Sequence, residues 1–265
     1  MMRPALIAAL ALLPLPALAA DLPPGVTDAR LTQGWVEADG SRRAALIVEL
    51  MPRWKTYWRE PGEAGVPPLL DWSASDNLAP VRIDWPAPQV FDSAGVVTLG
   101  YHDRMVLPLR IAPATPGEPI AARLHVDLGV CEDICVPVSL DLAADWAAAG
   151  TPPDPGPDAE LIRAALAAVP QPAAPPTACT VEPIRDGMRV TARFAAAPAG
   201  TEAAAVETDQ KGIWVSPAIV TQDGQGISLR ADLVPPEGKP FDADLTALRF
   251  TLLGADSATE SPGCP

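Results

Sequence analysis

Apolar and polar residues alternate most regularly in ARLHVDLGV, Ala122 to Val130, where Leu124, Val126, Leu128 and Val130 share one face. A period of two over this length predicts a half-buried β-strand. ALIVEL (Ala45 to Leu50), VRIDW (Val81 to Trp85) and MVLPLRI (Met105 to Ile111) are short, rich in β-branched residues, and bounded by Pro, Gly, Asp and Asn. No long helical period interrupts them, so residues 30–146 read as all-β and a β-sandwich is the expected architecture.

The pattern changes at Gly150. From there to Ala178 the chain is rich in Pro and Ala. Residues 157–169 fit one short helix, with Asp158 as N-cap and Pro170 as stop, and the flanks read as extended and stiff. Strand patterning then resumes in MRVTARF (Met188 to Phe194), GIWVSPAIV (Gly212 to Val220), GISLRADLV (Gly226 to Val234) and ALRFTLLG (Ala247 to Gly254). The expected organisation is a leader over 1–20, a sandwich over 21–148, a linker over 149–178, and a second, smaller β-sandwich over 179–265.

The leader rests on its own pattern. MMRPALIAALALLPLPALAA has one basic residue, a short apolar stretch broken by Pro14 and Pro16, and a small-x-small pattern over Ala17 to Ala19. This is the grammar of a cleaved secretory signal rather than of a membrane span. It predicts export to the periplasm, with cleavage near Ala19 or Ala20. Elsewhere charge or proline interrupts every apolar run, so no direct membrane insertion is expected.

Charge narrows the partners further. The chain carries 33 acids against 19 bases, a net charge of −14. Such a balance argues against nucleic acid and anionic membrane surfaces, both of which need a basic patch. No nucleotide-binding loop, zinc-protease motif or esterase elbow is present, and no cofactor is expected. His102 and His125 have no metal-ligand spacing and read as ordinary surface or strand residues, so no metal site is assigned.

The four cysteines, Cys131, Cys135, Cys179 and Cys264, all follow the leader. An even count in an oxidising compartment favours two disulfides, and proximity favours Cys131–Cys135 with Cys179–Cys264. The second pair would join the ends of the second domain and reads as structural.

CEDIC, Cys131 to Cys135, asks for more. A straight strand separates residues four apart by roughly 13 Å, whereas a disulfide needs Cα atoms within about 7 Å. The chain must therefore turn back at Glu132, Asp133 and Ile134, placing the pair at the neck of a hairpin. So small a loop constrains little of the unfolded chain and makes a weak staple. Near a surface turn it is open to attack by another thiolate. Glu132 and Asp133 disfavour a neighbouring thiolate, and no Lys or Arg is near in sequence, which suits a recipient of electrons more than an aggressive nucleophile. Three readings stay open on these residues: an exchange pair, a binding module whose disulfides are purely structural, and a metal-binding dithiol. Trp54, Tyr57, Trp58, Trp72 and Trp85 read as core and loop-packing residues.

Four segments resemble the N-terminal periplasmic domain of the DsbD and ScsB thiol:disulfide interchange proteins: WKTYWREPGEAGVPPLLDW (Trp54 to Trp72), WPAP (Trp85 to Pro88), GYHDRMVLPLRI (Gly100 to Ile111) and GVCEDICVPVSLDL (Gly129 to Leu142). The resemblance implies an immunoglobulin-like fold, a protein-disulfide reductase type of activity, and Cys131 and Cys135 as the redox pair. It implies a cap near Phe91 to Tyr101, with Phe91 and Tyr101 as the candidate aromatics. It also implies electrons from a membrane thiol transporter of the DsbD/CcdA type, passed to thioredoxin-like or disulfide-bearing periplasmic clients. The Cys-x3-Cys spacing is tighter than in the better-known branch of that family.

Overall fold

Leu124, Val126, Leu128 and Val130 are all buried, and their alternate neighbours face outward. The strand that carries them is one of the two longest in a computed structural model that describes residues 22–148, 156–223 and 226–264. The leader lies outside the described residues, as do residues 149–155 of the linker.

The strands before the helix are β1 (Val26–Leu31), β2 (Trp35–Val36), β3 (Arg42–Leu50), β4 (Lys55–Gly62), β5 (Leu69–Asp71), β6 (Arg82–Ile83), β7 (Gln89–Ser93), β8 (Val96–His102), β9 (Arg104–Ile111), β10 (Ile120–Cys131) and β11 (Cys135–Trp146). They form two antiparallel sheets. One has the order β1-β3-β9-β6, with β2 also on β3; the other has the order β11-β10-β4-β8-β7, with β5 also on β10. Leu46, Val48, Leu107, Leu109 and Ile111 from the first sheet meet Trp58, Val126, Leu128, Val130 and Trp146 from the second. This is the β-sandwich the alternation implies, with the immunoglobulin-like fold the resemblance implies.

Helix α1 (Ala159–Ala167) forms where the sequence places one. Asp158 occupies the N-cap position, but its carboxylate accepts from Arg30 of β1, at 2.7 Å, instead of capping the helix. The fully buried Ile162 packs on Ala45 and Ile47 of β3. The helix is thus part of the first sandwich, covering the outer side of its first sheet.

Nine further strands follow: β12 (Gln171–Pro172), β13 (Ala178–Ile184), β14 (Gly187–Phe194), β15 (Ala203–Thr208), β16 (Trp214–Val215), β17 (Ile219–Asp223), β18 (Gly226–Val234), β19 (Leu248–Leu253) and β20 (Ala258–Pro262). One sheet runs β12-β20-β19-β15 and the other β13-β14-β18-β16, with β17 also on β18. Phe194 and Phe250 meet edge to face between them at 5.5 Å. Residues 171–172, read from sequence as linker, already pair with β20. The outward residues Ala203, Ala205, Leu253 and Ala258 join the core of the first sandwich.

Candidate functional site

The hairpin β10–β11 brings Cys131 directly opposite Cys135. Glu132, Asp133 and Ile134 make the turn, the Cα atoms are 4.2 Å apart, and the sulfurs are bonded. The reversal inferred from the spacing is therefore present. The two sulfurs differ in access: Cys131 is only 2% exposed, whereas Cys135 is exposed at the start of β11, an edge strand. Ile134 at the turn is 77% exposed.

Strand register builds the surroundings. Cys131 pairs with Lys55 of β4, and Lys55 pairs with His102 of β8. Cross-strand partners share a face, so Cys135, Cys131, Lys55 and His102 form one row on the outer face of the sheet. Tyr57, two residues along β4, belongs to the next row, opposite Gly100 and with its ring against Gly129. Its hydroxyl lies 3.0 Å from Cys131 Sγ and 3.1 Å from Cys135 Sγ. Disulfide sulfurs carry no proton, so the hydroxyl is the donor.

Two glycines admit the tyrosine ring. A Cβ on Gly129 would stand 3.2 Å from Tyr57 Cε2, and one on Gly65 would stand 2.7 Å from Cδ1, on the opposite ring edge. Tyr57 is 3% exposed beneath the segment that follows β4, and this burial raises its hydroxyl pKa above the ordinary value. Burial lowers the Lys55 ammonium pKa. Lys55 Nζ stands 4.6 Å over the Phe91 ring and donates to Thr98 Oγ1 at 3.3 Å. Arg53 ion-pairs with Glu132 across the turn. The sequence shows no base near the cysteines, yet β4 and the turn before it supply Lys55 and Arg53, which arrive through pairing between distant strands.

The two aromatics expected as a cap separate in the structure. Tyr101 is in the core: it is 8% exposed, opposes Thr56 of β4, and its hydroxyl donates to the Pro86 carbonyl at 2.9 Å. It is therefore not a cap; strand parity turns Tyr101 inward and His102 outward. Phe91 shares the outer face with the pair but sits on edge strand β7, against Lys55 and 6.3 Å from the His102 ring. The ring whose polar tip touches the sulfurs is that of Tyr57, which the sequence marks only as a packing residue. Cys179 and Cys264 are bonded across a separation of 85 residues. Among the described residues no group of His, Cys, Asp and Glu could hold a metal ion, and no helix is long and apolar enough to cross a membrane.

The site is thus a disulfide at the neck of an outer hairpin, carried by an immunoglobulin-like sandwich. Residues 26–145 match the family model of the N-terminal region of the thiol:disulfide interchange protein DsbD. Among solved structures, the N-terminal periplasmic domain of ScsB from Proteus mirabilis is similar, with a TM-score of 0.60 and 24% identity over 88% of this chain and 90% of that one. That likeness extends the shared fold across both sandwiches. No curated protein sequence matches.

Proposed function

We propose that this chain is a periplasmic exchange module whose Cys131–Cys135 disulfide is reduced by a partner thiolate and whose dithiol then reduces a client. The observation that carries this reading is the asymmetry of the pair, with one sulfur exposed at a turn and the other buried behind it. A thiolate reaching the hairpin meets Cys135 Sγ, bonds to it, and expels Cys131 Sγ with the electron pair of the broken bond. A second thiol of the partner then attacks its own sulfur in the mixed disulfide and releases Cys135. The partner leaves oxidised by two electrons and the pair remains reduced. The reverse sequence reduces the client.

The partners in this reading are a membrane thiol transporter of the DsbD/CcdA type and thioredoxin-like or disulfide-bearing periplasmic proteins. The organisation in this reading is a leader over 1–20, the exchange domain over 21–148 with α1 of the following segment packed on it, and a second domain over 179–265 that also takes in residues 171–172 and is stapled by Cys179–Cys264.

Trapping tests it. With Cys131→Ser, Cys135 keeps its thiol and loses its resolving partner, so mixed disulfides with donor and client should accumulate in the periplasm. With Cys135→Ser the remaining thiol is the buried one, and trapping should fall sharply. Equal trapping by both variants, or none by either, would remove the assigned order of attack. A reduction potential below about −300 mV would instead mark the pair as a structural bridge.

A further inference from the structure

We propose that Tyr57 is the hydrogen-bond donor that makes Cys131 the leaving sulfur of the exchange. This deepens the reading above and rests on it.

Geometry carries the argument. One hydroxyl lies within hydrogen-bond reach of both sulfurs, and its ring is held on opposite edges by the space at Gly129 and Gly65. The donor is therefore in place before any partner arrives, which is the arrangement that stabilises charge developing in a reaction. When a thiolate bonds to Cys135 Sγ, the Cys131–Cys135 bond breaks and its electron pair goes to Cys131 Sγ. At 2% exposure that thiolate has little access to water, and an unsolvated buried charge is costly. The Tyr57 hydroxyl then donates wholly to Cys131 as a charge-assisted bond, stronger than the neutral one it replaces. No proton is transferred in this step; the thiolate takes one from solvent once the partner departs. Burial keeps the phenol protonated at neutral pH, so it remains a donor throughout.

The test reads the thiol itself. In a Cys135→Ser background Cys131 is the single free thiol, and its thiolate absorbance in the ultraviolet gives its acid constant in the full chain. Tyr57→Phe keeps the ring and removes the donor. It should lower that constant about tenfold, the usual scale for losing a hydrogen bond to a charged group. With both cysteines present, it should slow reduction of the disulfide by dithiothreitol about tenfold at the same pH. A purely packing role would leave both readings unchanged, and unchanged readings overturn the proposal. Gly129→Ala crowds the ring from one edge and should shift both readings in the same direction by less. An unchanged acid constant in Gly129→Ala overturns the proposal if Tyr57→Phe fails to fold. The acid constant is independent of partners. A tenfold drop with no trapped partner keeps the donor and removes the exchange function, whereas trapped partners with no drop do the reverse.

Discussion

Glu60 lies next to Arg59 on β4, near the carboxylate of Glu207. Burial, then the charge of Glu207, push its pKa from the ordinary 4.5 up to about 7, with Arg59 opposing. The folded protein therefore binds a proton that the unfolded chain has released between these two values. The stability this contributes is complete below pH 4.5 and is lost as the pH rises through about 7. Glu60→Gln keeps the neutral shape and cannot ionise. It should flatten the fall in stability across this window and leave the protein about 1–2 kcal/mol more stable than the parent at pH 8. Urea unfolding at several pH values reads both effects. A variant that keeps the parent's slope would assign the slope to another group.

Elements show what sequence can and cannot reveal. The hairpin at Cys131–Cys135 was legible because a local distance limit forces a turn whatever the rest of the chain does. Helix α1 was legible from its caps and flanking prolines, but its partner was not. Ala45 and Ile47 lie in ALIVEL, a run without alternation, because the sandwich core covers one side of β3 and Ile162 covers the other. A strand buried on both faces loses its period of two and with it the sign of which face points where. Tyr57 and Lys55 were illegible as site residues for a different reason: Tyr57 stands 74 residues from Cys131, and only the register of β4 on β10 joins them. The misplacement of Tyr101 has a related cause. Its neighbour His102 faces the site, and nothing local fixes the parity of β8. The pairing of β8 with β7 across the two-residue turn at Ala94 and Gly95 fixes it, both residues having positive φ as such a turn requires. The docking of α1 makes a prediction at this scale. Ile162→Ala should cost about 2–4 kcal/mol by thermal or urea unfolding, as for other fully buried large-to-small changes. It should leave the reactivity of Cys135 untouched, since α1 covers the opposite sheet. A cost near zero would mean that the helix rests on the sheet without supporting it.

At the scale of the whole molecule, the question is why two sandwiches hold one arrangement. Part of the answer is apolar, since Ala203, Ala205, Leu253 and Ala258 complete the first core. Small side chains let the sheet approach closely but bury little area each. The directional part is ionic. Arg59 of β4 stacks on Trp58, its guanidinium 4.3 Å from the ring centroid. Its Nε and Nη2 donate to the two oxygens of Glu207 at 2.9 and 3.0 Å, and Nη2 also donates to Glu260. Arg249 closes the cluster on Glu207 at 2.9 Å. Arg59 and Glu207 are both largely shielded from water, so their pairing escapes the screening that makes surface ion pairs weak. Removing one partner leaves the others partly desolvated. Arg59→Met keeps the stem over Trp58 and deletes the fork. It should cost about 2–4 kcal/mol, and the cost should fall on the joint between the sandwiches. Calorimetry separates this from a general loss of stability. If the cluster couples the two units, the parent unfolds in one endotherm and Arg59→Met splits it into two, the later one belonging to the unit that keeps its own core intact. Opening Cys179–Cys264 with a paired Cys→Ser change should then lower the transition of the second sandwich by about 4 kcal/mol on the chain-entropy estimate, moving the first sandwich only while Arg59 is present. A single endotherm in Arg59→Met, displaced as a whole or not at all, would mean that the alanine contacts alone join the sandwiches and that the ionic cluster contributes no cooperativity.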